Sequence, residues 1–540
     1  MSSEQCQLRV LSMQTRDGVR LDADVYYPVG AGPFPVLLMR QPYGRRIAST
    51  VTYAHPSWYA RQGYIVVIQD VRGRGSSEGE FEPFVYEGDD GYDTLEWVSR
   101  LPGSSGRVGM YGFSYQGVAQ LFAAASRHPA LAAICPGMAG FDLYRDWAYE
   151  GGAFRLYNSL SWAAQLGAET ARRNGDHGLF AERYRVGHTP SSAELIDPAG
   201  SVRELLADTF YADWLSASAD SDYWRARSPG AQLDDIDLPA LHVGGWFDSF
   251  LTGTLAGYRH FAKGQSPQRL LIGPWTHLPW TPAVGSVWLG EAAQSPVDAL
   301  QLRWFDYFLK DIDNGVLDEP MVALYDLGAR AWRDLTEYPM PAPSRWHLVS
   351  NGRANLDLTA GRLCEAAQAG GVDVIVNDPW RPVPVRGGHL APAAGIEDRT
   401  DVDARPDVLT YTSAPLESTL QLAGPVAAVL ACESDQDSFD LFAVLSIVGR
   451  DGRARNLTQG YLRTEGAGQH RVELRTTCAR LYPGQSLRLS VSGSCYPAFA
   501  LNDGSGREPL AVRAADYRIS TLRLDSNASW LELPLIEAGD

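Results

Sequence analysis

An apolar run over residues 108–111 leads into Gly112-Phe113-Ser114-Tyr115-Gln116-Gly117, and a segment of mostly small and apolar residues, 118–125, follows. This reads as a strand, a sharp turn and a helix. Where the backbone of such a turn passes close to its neighbours there is no room for side chains, so glycines flank it, and the serine hydroxyl is lifted clear of the strand. Ser114 is therefore the candidate nucleophile. The spacing departs from the usual G-x-S-x-G, because Gln116 takes the place of the last glycine and Gly117 comes one residue late.

The rest of the chain supplies the frame such a turn needs. Residues 8–28 read as two short strands joined by a turn at Arg16-Asp17-Gly18, with 19–26 alternating as a half-buried antiparallel strand, while 35–40 and 64–70 are nearly continuous apolar runs, as in fully buried strands. Helical patterns fall at 58–62 and 93–99. Strands alternating with helices predict a parallel sheet covered on both faces. From about 141 to 235 strand patterning fades and Trp147, Trp162, Trp214 and Trp224 appear in helical stretches, as in an insertion. Strands resume at 238–245 and 269–273 with a helix near 252–263 between them, then an amphipathic helix at 297–310 and a last strand at 321–327. Beyond about 345 short alternating runs recur between turns such as Tyr482-Pro483-Gly484, which predicts a β-sandwich or jelly roll. The expected layout is an α/β catalytic domain from 1–140 and 236–344, a helical cap over 141–235 and an all-β domain over 345–540. Residues 366–371 and 392–395 are expected to be the most mobile loops.

Length and charge narrow the partners. A chain of 540 residues holds several domains, and a formal charge of −17 offers no basic field to attract nucleic acid or an anionic membrane. Cys6, Cys135, Cys364, Cys432, Cys478 and Cys495 form no C-x-x-C pair, so reduced thiols are expected, with one or two disulfides beyond residue 360 left open. The N-terminus has no basic patch followed by an apolar core, and no apolar run approaches the ~18 residues of a membrane span. The expected location is the cytoplasm.

A serine hydroxyl needs a base, and the base needs an orienting carboxylate. On a sheet with the serine at such a turn, the partners follow in the order Ser, Asp/Glu, His on loops after later strands. Asp248 stands just past one resumed strand, in Gly245-Trp246-Phe247-Asp248, and His277 just past the next, in Gly273-Pro274-Trp275-Thr276-His277.

With these pieces in place the chain resembles the cocaine-esterase-like and Xaa-Pro dipeptidyl-peptidase-like branch of the α/β-hydrolases. The resemblance is carried by residues 40–44, Asp70-Val71-Arg72-Gly73-Arg74-Gly75, the Ser114 turn with its late glycine, and the Asp248 and His277 segments. It implies an α/β-hydrolase core, an inserted helical cap and a C-terminal jelly roll. It also implies an oxyanion hole from the Tyr43 hydroxyl and the Tyr115 backbone N–H, and scaffold roles for Asp70 and Arg72. Members acting on α-amino acid esters resemble one another in carrying extra carboxylates just after the triad aspartate. Here Ser249-Phe250-Leu251-Thr252 follows, with no acid, although Asp146 and Glu150 at the start of the cap leave that specificity open. Phe250, Trp147 and Trp162 are expected to line an apolar acyl pocket, with packing inside the cap the alternative for the two tryptophans.

Other motifs yield less. The glycines at 73, 75 and 79 are misplaced for a dinucleotide loop, and Asp435, Asp437 and Asp440 lack the glycine and glutamate of a calcium loop, so a solvated acidic turn is expected there. The ten histidines show no ligand spacing, so no metal or other cofactor is required. The expected activity is hydrolysis of a small-molecule acyl ester through an acyl-enzyme. An amidase or Xaa-Pro dipeptidyl peptidase, an acyltransferase or ester-forming cyclase, and a catalytically dead binding protein are the alternatives. The jelly roll is the candidate to cover the site or to pair with a second subunit in a homodimer.

Overall fold

The computed structural model describes residues 6–537 apart from 201 and 508. β1 (Cys6–Gln14) and β2 (Arg20–Pro28) form an antiparallel hairpin. β3 (Phe34–Gln41), β4 (Ile65–Asp70), β5 (Ser104–Phe113) and β6 (Leu131–Gly137) follow, joined through α1 (Pro56–Arg61), α2 (Glu87–Ser99) and α3 (Tyr115–Ala125). The chain then leaves the sheet for a hairpin, β7 (Tyr149–Glu150) and β8 (Ala153–Phe154), and five helices: α4 (Leu156–Arg173), α5 (His177–His188), α6 (Ser192–Ile196), α7 (Tyr211–Ser216) and α8 (Asp222–Arg227). It returns with β9 (Ala240–Phe247), α9 (Leu251–Phe261) and β10 (Gln268–Thr276). After a small hairpin of β11 (Ala283–Val284) and β12 (Val287–Trp288) come α10 (Val297–Lys310), β13 (Val322–Asp326) and β14 (Ala331–Leu335).

The core sheet has the order β1-β2-β4-β3-β5-β6-β9-β10-β13-β14. Its middle, from β4 to β13, is parallel, and every residue of β4 and β9 is buried, as strands covered on both faces must be. The edges are antiparallel, as the alternation in residues 19–26 predicts for β2. β1, β2 and β14 run antiparallel, and short turns join β1 to β2 and β13 to β14, where a parallel return has no room for a crossover. The order matters for the site. β3 lies beside β5 and β9 beside β10, so the loops after β3 and β5 emerge together, and so do those after β9 and β10.

The remaining strands form the jelly roll, a C-terminal all-β domain. They are β15 (Ser344–Val349), β16 (Arg362–Cys364), β17 (Val372–Asn377), β18 (Val408–Ser413), β19 (Leu420–Ser434), β20 (Ser438–Val448), β21 (Ala454–Glu465), β22 (Gly468–Leu481), β23 (Ser486–Ser492), β24 (Ser520–Leu533) and β25 (Leu535–Ile536). One hydrophobic cluster joins this domain to the core: Trp246, Leu255 and Tyr325 pack in it with Leu422, Leu474 and Leu531. No helix among the described residues is long and apolar enough to cross a membrane. All six cysteines are free thiols.

Three local expectations are corrected. α2 begins at Glu87, not near 93, because tertiary ion pairs hold its first turns. Arg40 binds Glu87 at 2.6 Å and Arg72 binds Asp90 at 2.7 Å, which offsets the cost of about 1 kcal/mol for each glycine in that turn. Asp440 is buried, not solvated, and accepts from Tyr461 and Arg463. Residues 392–395 are not a loose loop, since Gly388 and Gly395 exchange backbone hydrogen bonds of 2.8 and 2.7 Å. Asp70 and Arg72 are scaffold residues with separate partners: Asp70 holds Arg45, and Arg72 joins Asp17 to Asp90.

Candidate active site

Ser114 sits between the end of β5 and the start of α3 with φ 62° and ψ −127°, a conformation sparsely populated by any residue but glycine. The turn is held from outside. The Ser114 N–H donates to Gly137 O at 2.9 Å, tying it to the end of β6. The misplaced glycine has a steric explanation. A Cβ on Gly112 would lie 2.5 Å from Gln116 Cβ, so Gly112 makes room for Gln116. Gln116 Oε1 then accepts from Phe113 N at 3.1 Å and its Nε2 donates to Ser49 Oγ at 2.5 Å, which braces the turn from within. Gly117 is the residue that makes the close helix–strand approach, since a Cβ there would meet Gly137 O at 2.8 Å.

Asp248 and His277 come together as β9 and β10 leave the sheet. The carboxylate is fully buried, and its Oδ1 accepts from His277 Nδ1 at 2.8 Å while Oδ2 accepts from Phe250 N at 3.0 Å. With Nδ1 engaged, Nε2 is the imidazole nitrogen left for proton transfer. The ring stands between the Phe113 and Phe250 rings, 5.2 and 5.1 Å away by centroids, and Trp280 Nε1 donates to the His277 carbonyl at 3.0 Å. Ser114 and His277 line the same cavity, of about 620 Å³.

Tyr43 follows β3 and reaches this cavity. Its hydroxyl accepts from Trp162 Nε1 at 3.2 Å, which leaves its own proton free to donate. Burial pushes the hydroxyl above its ordinary pKa, against the opposing influence of hydrogen bonds with Trp162 and Ser114, so it stays protonated at neutral pH. Tyr115 divides in two. Its side chain points into the protein, where the hydroxyl donates to Glu87 Oε1 at 2.7 Å. Its backbone N–H, in the first turn of α3, has no intrahelical acceptor. Burial, then Glu87, push the Tyr115 hydroxyl far above its ordinary value, so this side chain is a fixed strut.

The three aromatic residues expected at the pocket line it. Trp147 lies 4.2 Å from Phe250 and 5.1 Å from Trp162 between ring centroids. Trp162 also packs on Phe210 and Trp214, so it serves the cap and the cavity together. The all-β domain, the candidate to cover the site, does line the cavity, through His389, Ala391 and Pro392, which sequence reasoning did not single out. His389 has only the pair Gly387-Gly388 before it as a local signal, and nothing in the sequence brings that loop to Ser114.

Among the described residues no Asp, Glu, Lys or Arg lines the cavity. Both cap carboxylates are occupied elsewhere. Asp146 accepts from the Phe141 and Asp142 amides at 3.1 and 2.8 Å, and burial raises its pKa. Glu150 is bound by Arg155 at 2.7 Å, His389 at 2.8 Å and Arg475 at 3.2 Å. Burial disfavours its charge, but these partners outweigh that and hold it well below the ordinary carboxyl range. Among the described residues no cluster of His, Cys, Asp and Glu is placed to hold a metal ion.

Residues 17–279 match the family described as "X-Pro dipeptidyl-peptidase (S15 family)", and residues 314–519 match "X-Pro dipeptidyl-peptidase C-terminal non-catalytic domain". The chain is 32% identical to the cocaine esterase of Rhodococcus sp. (strain MB1 Bresler) over 91% of both chains. In fold it is similar to an aminopeptidase from a marine sediment Thaumarchaeota archaeon, with a TM-score of 0.84, 23% identity and coverage of 99% of this chain and 98% of the other. It is similar too to an α-amino acid ester hydrolase, with a TM-score of 0.78, 21% identity and coverage of 99% and 97%. The sequence matches span both the catalytic and the all-β regions: the chain belongs to the X-Pro dipeptidyl-peptidase (S15) family of serine hydrolases.

Proposed function

We propose that this enzyme hydrolyses small-molecule esters whose acyl group is apolar and uncharged, and that Ser114, Asp248 and His277 are its catalytic triad. Ser114 Oγ attacks the ester carbonyl and His277 Nε2 takes its proton. Asp248 holds the imidazole tautomer and stabilises the imidazolium. The Tyr43 hydroxyl and the Tyr115 N–H bind the oxyanion, each preorganised donor contributing on the order of 10²–10³ in rate. His277 returns the proton to the departing alkoxide, and water releases the acid by the reverse path.

The observation that carries the choice of ester over peptide is the uncharged cavity. An Xaa-Pro dipeptide or an α-amino ester presents an ammonium close to the scissile carbonyl. Desolvating that charge without a counter-ion costs several kcal/mol. Asp146 and Glu150, the cap carboxylates that the sequence leaves open for an ammonium, are already engaged by backbone amides and by cations. The aromatic wall of Trp147, Trp162 and Phe250 suits an apolar acyl group, and the relative at 32% identity is named an esterase. Unpaired cysteines support a reducing cytoplasmic setting.

The test uses matched substrates: a 3-phenylpropionyl ester, the corresponding phenylalanyl ester and an Xaa-Pro anilide. The neutral ester should exceed the α-amino ester in kcat/KM by at least about tenfold, a difference of ~1.4 kcal/mol in transition-state binding. Faster turnover of the α-amino ester or the anilide would overturn the reading.

A further inference from the structure

The C-terminal domain carries the description "non-catalytic" in its family, yet in this chain it reaches the loop that presents Asp248. Arg475, on β22, is buried and donates through Nη1 to Asp248 O and through Nη2 to Ser249 O, both at 2.8 Å. Arg155, at the head of α4, donates to the same Ser249 carbonyl at 3.1 Å. Glu150 of β7 lies between the two guanidiniums, and His389 closes the cluster by donating Nε2–H to Glu150 while its carbonyl accepts from Ser249 Oγ at 3.0 Å. The cap contributes Glu150 and Arg155, the all-β domain contributes Arg475 and His389, and the core contributes the acceptors.

The acceptors are what separate this cluster from an ordinary buried ion network. The carbonyl of Asp248 and the next one along define the backbone from which the carboxylate projects toward His277. A planar guanidinium spanning both fixes that backbone more tightly than a single hydrogen bond can. The charge also fits: two guanidiniums and one carboxylate leave one net positive charge behind a fully buried Asp248.

We propose that Arg475 is a positioning residue for Asp248, held in place by Glu150, so that the all-β domain completes the catalytic machinery. This rests on the triad assigned under Proposed function. A misplacement of the carboxylate by a fraction of an ångström should reduce kcat and leave substrate contacts intact, since neither Arg475 nor Glu150 lines the cavity.

The test measures kcat and KM on a nitrophenyl ester, the rate of Ser114 labelling by a fluorophosphonate, and the thermal midpoint. Arg475→Lys keeps the charge but cannot span two carbonyls. It should lower kcat and the labelling rate together by about 10–10²-fold, with KM changed by less than about threefold. Arg475→Ala should fall further and regain at least about tenfold with added millimolar guanidinium, a rescue that a merely structural arginine would not show. Glu150→Gln, which frees the guanidinium without altering the β22 side chain, should lower kcat in the same direction. Arg463→Lys disturbs another ion pair of the all-β domain, with the buried Asp440, and should lower the thermal midpoint without slowing labelling. Should Arg475→Ala not fold, Arg475→Lys and Glu150→Gln decide. Either one folded, with kcat and labelling within about threefold of the wild type, overturns the proposal. A wild type that is not labelled at Ser114 would instead overturn the triad itself.

Discussion

Gln116 and Gly112 form a couple at the residue scale: the glycine is bare because the glutamine lies over it, and the glutamine can then brace Ser114 from inside. This is why a turn lacking the usual final glycine keeps its shape, with Gly117 taking over the approach to β6. Tyr43 is the other residue whose role turns on one atom. Its ring is held by the cavity wall and its hydroxyl by Trp162. Tyr43→Phe should therefore fold normally and lose about 10²–10³ in kcat on a nitrophenyl ester, with KM little changed. A loss under about threefold, measured on the purified variant, would remove Tyr43 from the oxyanion hole. Ser114, Asp248 and His277, the proposed triad, stand out in the sequence because each follows a glycine-marked strand exit, whereas Tyr43 is singled out by the family resemblance. The buried side of Tyr115 was not legible, since its partner Glu87 lies ahead of the 93–99 stretch that reads as helix.

Among the elements, β9 does two things. Its end delivers Asp248, and its start buries His242 under α9, with Nε2 hydrogen-bonded to Gln268 Oε1 at 3.1 Å and the Tyr258 and Phe261 rings close by. Burial, opposed only by Gln268, pushes His242 down to about 4. The unfolded chain takes up this proton near pH 6.5, so the folded state binds fewer protons between about pH 6.5 and 4 and loses stability as pH falls through that window. The loss should be about 2 kcal/mol between pH 7 and pH 5 from this histidine alone, read as a lower urea midpoint. His242→Gln should shrink that difference; an unchanged pH dependence would show that His242 is not held neutral. The element order was legible for the same reason the burial is: a parallel strand covered on both faces shows as an unbroken apolar run. α2 was legible only in its second half, because long-range ion pairs rather than local propensity hold its first turns.

The whole molecule builds one cavity from three parts. The core supplies Ser114, His277 and Tyr43, the cap supplies Trp147 and Trp162, and the all-β domain supplies His389 and its neighbours. The expected division into core, cap and all-β domain rests on changes of composition and periodicity along the chain. The sequence suggests the all-β domain as a cover but not which residues reach the cavity, and the Glu150–Arg475 cluster is out of its reach, since those two residues lie 325 positions apart in the chain. Specificity was legible in part: the segment after Asp248 carries no acid, but the pairing of Glu150 with Arg155 and Arg475 is not visible in any local motif. Covalent chemistry at Ser114 is what every proposed step of the reaction depends on. Rapid mixing with a nitrophenyl ester, an acid quench and peptide mass spectrometry should find the acyl mass on the peptide containing Ser114, and no adduct or turnover in Ser114→Ala. An adduct on another residue, or turnover that survives Ser114→Ala, would contradict it.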